Sequence, residues 1–306
     1  MEYQQEMNTS CTIGVDVGAT KIAAGLVRGG KVVKKVSIVH SFNIHKKKDE
    51  LLALIDQTIE SLWRSEVVGI GLGLAGITDQ QKGIFLNGVN FPPSFRNINF
   101  PAILKKYDCP IRIDNDVHAF ALGEAVYGAG REYGLVFGLA IGTGVGGALV
   151  VDGSVFHGRD NATGDIGHMI VQMENGIQCS SEQSGHLESY ISGTALRRLI
   201  AERFSKPVEL EHLDGLVFAG NRQATEIVEL AGRALAVGLA NVIQTINPDI
   251  IIVGGGLSRM RTLWKVCRGR YKGLVTYRQP RSTPVVISKL QNDANILGAA
   301  HLTLAD

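Results

Sequence analysis

The stretch Thr12-Ile-Gly-Val-Asp-Val-Gly-Ala-Thr-Lys-Ile-Ala-Ala-Gly-Leu-Val27 predicts two strands joined by a tight turn, and it decides the fold. Apolar residues alternate through the first strand, and a second apolar run begins at Ile22. Asp16 interrupts the first strand, where a charged side chain is disfavoured and needs a reason other than packing. The turn that follows offers backbone N–H groups to a phosphate oxygen, and Asp16 beside it suits a magnesium ion. On this stretch alone, a plain hairpin with an oddly placed aspartate is the alternative.

A second stretch, Leu139-Ala-Ile-Gly-Thr-Gly-Val-Gly-Gly-Ala-Leu-Val-Val-Asp-Gly153, repeats the pattern. Four pairs align at a constant offset of 124 residues: Gly18 with Gly142, Ala24 with Ala148, Val27 with Val151, and Gly29 with Gly153. An internal repeat of this kind indicates two copies of one α/β unit. The acid is present in the first copy alone. We therefore expect the first turn to serve the metal and the second to wrap the phosphates of a nucleotide.

Composition places the chain among ordinary globular proteins, with 306 residues, 45% hydrophobic and 20% charged. The length suggests about two domains. The net charge of +2 and the absence of an apolar run of roughly 20 residues predict neither a nucleic-acid nor a membrane partner. The first ten residues lack the apolar core of a signal peptide, and four scattered cysteines lack CxxC spacing. These features predict a cytoplasmic protein with reduced thiols.

A dinucleotide-binding motif is suggested by the segment Gly71–Gly76, which has the spacing G-x-G-x-x-G. That motif also requires a helix immediately afterwards and an acid about 20 residues further on. Here the segment Thr78–Gly83 predicts a turn, and position 96 is Arg. The dinucleotide interpretation is therefore rejected.

A junction of strand and helix is predicted where Ile111-Arg-Ile-Asp-Asn-Asp116 precedes a helix from Val117 to Tyr127. Ligands of open α/β sheets bind at the carboxyl ends of strands. A single acid at this junction would be explained as a helix cap, but two acids and an asparagine favour a site. A carboxylate is the group that accepts a proton from an attacking hydroxyl.

Two later segments also suggest ligand chemistry. His168, Cys179 and His186 are metal ligands by type, although their spacing matches no standard zinc pattern. Further on, the segment Asp249–Gly256 predicts a buried strand that ends in three glycines. Small residues there allow a flat ring to approach the backbone, so this is the candidate adenosine site; a mobile turn is the alternative.

Together these motifs resemble the ROK family (repressors, open reading frames and sugar kinases), from Thr12 to the C-terminus. The resemblance implies an α/β, two-lobed actin-like (ribonuclease H-like) ATPase fold with a duplicated α/β unit and a central cleft. The boundary near Asp116, inferred from the internal repeat, places residues 1–116 plus 290–306 in a smaller N-terminal lobe. Residues 117–289 would form the larger C-terminal lobe.

The resemblance also implies a role for each matching residue. Asp116, the acid of the family's Asn-Asp pair, would be the catalytic base. The sugar ligands would be Asn90, Asn115, Asp165, His168 and Glu188. The nucleotide would bind Asp16, Gly18, Ala19, Thr20, Lys21, Gly142, Thr143, Gly144, Gly254, Gly255 and Gly256.

Two departures from the family pattern have consequences. The family usually has Glu where this chain has Asp165, so the carboxylate is one methylene shorter. The family's structural zinc segment, Cys-x-Cys-G-x-x-G-Cys, is here Cys179-Ser-Ser-Glu-Gln-Ser-Gly-His186. Ser181 and His186 replace two of the three cysteines, and serine is a poor zinc ligand. We therefore expect the zinc site to be usually empty, and assign no residue as a metal ligand.

The activity that the resemblance implies is ATP- and Mg²⁺-dependent phosphorylation of a hexose, with glucose as the first candidate. One alternative is an N-acetylhexosamine kinase, acting on N-acetylmannosamine or N-acetylglucosamine. Another is a catalytically silent sugar-binding regulator that acts through a protein partner. A DNA-binding regulator is not expected, because about ten residues precede the first phosphate motif, too few for a helix-turn-helix domain. A homodimer or homotetramer is expected.

Overall fold

The computed structural model describes residues 11–18, 20–39, 48–88, 91–179 and 182–304. Its strands are β1 (Cys11–Val17), β2 (Lys21–Arg28), β3 (Lys31–Val39), β4 (Val67–Leu74), β5 (Ile77–Asp79), β6 (Ile84–Asn87), β7 (Ile98–Asn99), β8 (Ile111–Asn115), β9 (Leu135–Ile141), β10 (Val145–Val151), β11 (Ser154–Val155), β12 (Ile250–Gly254) and β13 (Val285–Ile287). Its α-helices are α1 (Lys48–Leu62), α2 (Phe100–Ile103), α3 (Asp116–Tyr127), α4 (Glu188–Ile191), α5 (Gly193–Arg203), α6 (Leu213–Phe218), α7 (Arg222–Ile246), α8 (Arg261–Arg268), α9 (Tyr271–Leu274) and α10 (Asp293–His301).

Internal contacts divide the chain into two compact units. The first comprises Met1–Gly134, Ala148–Thr163 and Ser288–Asp306, and the second Leu135–Gly147 and Gly164–Ile287. Helix α3 belongs to the first unit by this division, whereas the boundary expected from the sequence placed it in the other lobe. The lobe boundaries themselves stay a prediction.

The first unit is built on a five-stranded sheet in the order β3-β2-β1-β4-β8. Strands β1 and β2 form the antiparallel hairpin that the sequence predicts, and β1, β4 and β8 run parallel. Asp16 lies opposite Ala23 of β2 and Gly73 of β4, so small residues flank the one charged side chain of β1. The apolar face of α1 contributes Leu51, Ile55, Ile59 and Leu62 to the core beneath this sheet.

The second large sheet has the order β11-β10-β9-β12-β13, with β12 parallel to both β9 and β13. When the strands of each sheet are numbered along the chain, both sheets follow the order third, second, first, fourth, fifth. Equal strand orders are the structural counterpart of the internal repeat. The prediction of a duplicated α/β unit is therefore confirmed.

Helices α3 and α10 of the first unit cross at very short range because both have glycine at the crossing. A Cβ at Gly298 would lie 1.7 Å from the carbonyl oxygen of Ala119. A Cβ at Gly123 would lie 2.0 Å from the carbonyl oxygen of Ala294. Side chains cannot occupy these positions unless the helices move apart, so the two glycines fix where α10 rests against α3.

Two prolines and several asparagines predict a loop over residues 85–100, and this prediction is wrong because the segment contains strands. The segment begins within β6 and contains β7, which pair with each other in a small three-stranded sheet. Phe85, Phe91, Phe95 and Phe100 are buried and pack ring to ring. Buried aromatic side chains stabilise this segment although its prolines and asparagines are typical of loops.

The sequence predicts helices over residues 192–204 and 221–246, and α5 and α7 agree with them to within a few residues. The N-caps of α5 and α7 are Ser192 and Asn221, whose side chains accept from Ala195 N and Ala224 N. The turn predicted at 78–83 is present between β5 and β6, which confirms the rejection of the dinucleotide motif. No helix in the described part of the chain combines the length and apolarity that crossing a membrane requires.

Candidate active site

The two acids of the first unit lie close enough to influence each other. Asp16 is half-buried near the end of β1, and burial raises its pKa to about 7, with a further rise from the charge of Asp116. Asn295 of α10 connects the two, because its Nδ2 lies 3.4 Å from Asp16 Oδ1 and 3.3 Å from the backbone oxygen of Asp116. A divalent cation bound here would favour the charged form of Asp16, against its burial and the charge of Asp116.

Asp116 is the first residue of α3, where the sequence placed the candidate base. Burial raises its pKa, while the N–H of Val117, which donates to Oδ1 at 3.0 Å, opposes that rise. Asn115 is the N-cap: its Oδ1 accepts from Val117 N at 2.7 Å, and its Nδ2 donates to Gly76 O at 3.0 Å. The predicted sugar ligand Asn115 therefore also holds the start of α3 in place.

The first glycine turn joins β1 to β2. Its N–H at Gly18 donates to Lys21 O at 2.9 Å, so this group closes the turn instead of facing a ligand. Thr20 and Lys21 are exposed beside it. Ala19 of this turn and the predicted sugar ligand Asn90 lie outside the described residues.

The second glycine turn, at Gly142–Gly144, is supported by helices α4 and α5 of the same unit. The N–H of Gly193 donates to Gly142 O at 2.8 Å, and Thr194 Oγ1 donates to Thr143 O at 3.0 Å. Glu188 Oε2 accepts from Val145 N at 2.8 Å. The predicted sugar ligand Glu188 thus already uses one oxygen to fix this turn.

A cavity of about 560 Å³ lies within the second unit, and the second glycine turn lines it together with Gly256. A Cβ at Gly142 or Gly256 would meet no atom within 4 Å, so the backbone at both positions borders open space. Gly255 supports the wall: its φ is +83°, and a Cβ there would lie 2.3 Å from the carbonyl oxygen of Ile141. Gly254, the last residue of β12, is buried behind it. The volume suits a nucleoside.

A polar loop of the second unit carries the predicted sugar ligands Asp165 and His168. It also carries the candidate metal ligands Cys179 and His186. Nδ1 of His168 lies 2.9 Å from Asp165 Oδ1, and this contact orients the ring. His168, Cys179 and His186 each offer a ligand atom within 4.8 Å of the other two. Three such donors fit a zinc ion that still needs a fourth ligand, because closed structural sites have four. Ser181, at the position of the missing cysteine, lies outside the described residues.

Several residues of these sites were not found from the sequence. Asn295 is separated from Asp16 by 279 positions, and nothing in its local pattern indicates a contact with an acid. The cavity is also lined by Arg197, Glu211, Leu257 and Arg259. These residues belong to helical turns. In the sequence, the charged side chains of these turns are typical of a solvent-exposed surface, so nothing marks them as part of a cavity. Asp114, weighed as a second site acid, is instead fully buried and bonded to two histidines.

Comparisons with known proteins find sugar kinases among the similar sequences and structures. The chain is 34% identical to a glucokinase of Thermotoga maritima over 311 residues, covering 95% of this chain and 96% of that protein. It is 30% identical to an N-acetyl-D-glucosamine kinase of Shigella flexneri over 259 residues, covering 80% and 84%. A ROK family glucokinase from Streptomyces griseus, solved in complex with glucose and AMPPNP, superposes with a TM-score of 0.80 at 25% identity, covering 96% and 99%.

A duplicated α/β fold that carries paired acids in one unit and a glycine-lined cavity in the other defines a nucleotide-dependent kinase of the actin-like class. The ROK family model matches residues 12–306. The chain belongs to the ROK family, and both the resemblance and the fold class predicted from the sequence are confirmed.

Proposed function

We propose that this ATP-dependent sugar kinase transfers the γ-phosphoryl group of ATP to the 6-hydroxyl of a hexose, and that the hexose is glucose. The observation that carries the proposal is Asp116, a half-buried carboxylate at the junction of β8 and α3, coupled to Asp16. The glucokinase relative, which is more similar to the chain than the N-acetyl-D-glucosamine kinase, supports glucose.

The proposed roles follow from the chemistry of each group. Asp116 accepts the proton of the 6-hydroxyl as its oxygen attacks the γ-phosphorus, and the bond to the β-phosphate oxygen breaks to release ADP. Asp16 would hold a Mg²⁺ ion nearby, and the ion would supply positive charge to neutralise the phosphates. Adenosine occupies the cavity beside Gly256, and the second glycine turn receives the phosphates.

The sugar ligands are proposed from the residue types. Carboxylate, amide and imidazole groups make paired hydrogen bonds with neighbouring hydroxyls. We retain Asn90, Asn115, Asp165, His168 and Glu188 in this role. Positioning of the sugar and of the γ-phosphate would supply most of the rate enhancement.

A panel of sugars tests the proposal. ADP release would be followed by a coupled assay with ATP, MgCl₂ and glucose, mannose, N-acetylglucosamine or N-acetylmannosamine. We expect kcat/KM to be highest for glucose. A higher value for an N-acetyl sugar would establish the second candidate, an N-acetylhexosamine kinase, which the Shigella flexneri relative favours. No sugar-stimulated ADP release, with sugar binding intact by calorimetry, would contradict the proposal and indicate a silent regulator.

A further inference from the structure

Arg197 is a cation beside the second glycine turn to which the mechanism proposed above gives no role. It lies in the second turn of α5, which begins at Gly193, and it lines the cavity proposed for adenosine. Its Nη1 lies 3.2 Å from the position that a Cβ at Gly193 would occupy, and the same position is 3.0 Å from Gly142 O. The guanidinium group is therefore next to the turn that would receive the phosphates.

Backbone donors of the turn itself are partly used by the protein. The N–H of Gly142 donates to Gly144 O at 2.9 Å, which closes the turn. The N–H of Val145, just after the turn, donates to Glu188 Oε2 at 2.8 Å. A phosphate oxygen can accept from either group only if that group gives up its present partner.

The start of α5 is used in the same way. Its first two N–H groups, of Gly193 and Thr194, donate to carbonyl oxygens of the second glycine turn at 2.8 and 3.3 Å. The third, of Ala195, donates to the Oγ of the N-cap Ser192 at 3.0 Å. A helix N-terminus binds an anion through such groups, and these three already have acceptors. Side chains are then needed to neutralise the phosphates in this unit.

The acids that line the cavity leave Arg197 available for a ligand. Asp214 accepts from the N–H groups of Arg261 and Thr262 at 2.8 and 3.0 Å, so its charge is directed to the start of α8. Arg197 Nη2 lies 3.7 Å from Glu211 Oε1, and the two side chains are 56% and 70% exposed. An ion pair this long and this open contributes little, so Arg197 can exchange Glu211 for a stronger anion.

The chemistry of arginine identifies that anion as a phosphate. A planar guanidinium makes paired hydrogen bonds with two phosphate oxygens, which a point charge cannot do. With adenosine in the cavity, the phosphates nearest to it are the α- and β-phosphates. ATP and ADP share these two groups, whereas the γ-phosphoryl group leaves with the sugar.

We propose that Arg197 binds the α- and β-phosphates of the nucleotide, in ATP and in ADP. The proposal deepens the proposed function, because it rests on the cavity of the second unit being the nucleotide site. Binding of ADP needs neither a sugar nor the proposed base. The inference can therefore be tested apart from the transfer reaction.

The first measurement is calorimetry of ADP and of adenosine with wild type and Arg197→Gln, in the absence of sugar. Glutamine keeps a polar side chain and removes the charge, so we expect the Kd of ADP to rise at least about tenfold. The Kd of adenosine, which has no phosphate, should stay within about twofold. An unchanged Kd of ADP would overturn the proposal. An equal loss for adenosine would also overturn it, because the arginine would then contact the nucleoside.

The matched control is Arg198→Gln, one residue further along the same helix. Arg198 pairs with Glu202 at 3.7 Å, donates to Gln178 O at 3.3 Å and does not line the cavity. This variant changes the net charge by the same amount, and we expect its Kd of ADP to stay within about twofold of wild type. A loss equal to that of Arg197→Gln would show a general effect of charge and would overturn the proposal.

The second measurement is steady-state kinetics with glucose and ATP. In Arg197→Gln, KM for ATP should rise at least about tenfold while KM for glucose stays within about twofold, since the lost contact is with the nucleotide. A rise in KM for glucose alone would overturn the proposal.

Failure of the proposed function has a different signature. If no sugar is phosphorylated but Arg197→Gln still weakens ADP binding, the proposed function is contradicted and the inference stands. If wild type phosphorylates glucose and Arg197→Gln binds ADP as tightly as wild type, the inference alone is overturned. Wild-type protein that binds no ADP would overturn both.

Discussion

Single residues in the first unit have environments that set their charge. Burial raises the pKa of both Asp16 and Asp116, and the charge of Asp116 raises the pKa of Asp16 further. His118 and Asp114 do the reverse, since each stabilises the charged form of the other. Aspartates with a lowered and with a raised pKa therefore lie two residues apart at the start of α3, at Asp114 and Asp116.

A buried neutral histidine at the end of α10 makes stability depend on pH. Tyr127 Oη lies 2.9 Å from Nδ1 of His301, and burial lowers the pKa of His301 to about 4. The unfolded chain takes up this proton near pH 6.5, so stability is present above that pH and is lost as the pH falls towards 4.

His301→Asn should remove this dependence, because asparagine keeps an acceptor for Tyr127 and does not titrate. We expect the gap in unfolding free energy between wild type and variant to narrow by about 2 kcal/mol from pH 8 to pH 5. Urea denaturation at both pH values measures the gap. Comparing the two proteins cancels Asp16, whose raised pKa acts in the opposite direction. A gap that stays constant would refute this assignment.

At the scale of elements, the crossing of α3 and α10 depends on glycine. Gly298→Ala should destabilise the protein by about 3 kcal/mol, since the new Cβ would overlap the carbonyl oxygen of Ala119. The control is Gly215→Ala in α6, where a Cβ meets nothing within 4 Å and helix propensity improves. Chemical denaturation of both variants checks this. Equal effects would show that the helices are not in close contact.

The polar loop of the second unit, which carries His168, Cys179 and His186, is the element where we expect a bound metal to add stability. The sequence predicts a zinc site that is usually empty, but three donors converge there, so we expect added zinc to bind and to raise the Tm of chelator-treated protein. Cys179→Ala should abolish that rise, and Cys109→Ala, on a half-buried cysteine of the first unit, should not. Differential scanning fluorimetry with and without zinc separates the two. An identical response of both variants would place any zinc elsewhere.

At the scale of the whole molecule, we expect substitutions in the two units to change different kinetic parameters. Gly256→Val places a side chain at the cavity of the second unit, so we expect KM for ATP to rise at least about tenfold, with kcat and KM for glucose little changed. Gly273→Val is the control, because its surroundings are equally open and it does not line the cavity. Steady-state kinetics measures both. A matching rise in the control would contradict adenosine binding at Gly256.

Sequence patterns predicted the repeated elements because their signals are local. Alternation predicts β1, and apolar residues at helical spacing over 46–63 and 221–246 predict α1 and α7. The constant offset of the glycines predicts the duplication. Family motifs then supplied the candidate roles of Asp16 and Asp116. These roles needed no knowledge of distant contacts.

Contacts between distant positions were not predictable in the same way. Asn295 reaches Asp16 across 279 positions, and His157 reaches Asp114 across 43. Each is an ordinary polar residue in its own segment, so no periodicity or motif marks it. The buried phenylalanines of segment 85–100 were missed for a related reason, because loop-forming residues around them hid the packing of their rings.

The most direct test of the central claim is the turnover of Asp116→Asn with glucose and ATP. Asparagine keeps the size of the side chain but cannot accept the proton, so we expect kcat to fall about a thousandfold, with glucose affinity by calorimetry within about threefold of wild type. A variant that keeps more than about a tenth of the wild-type kcat would contradict the account.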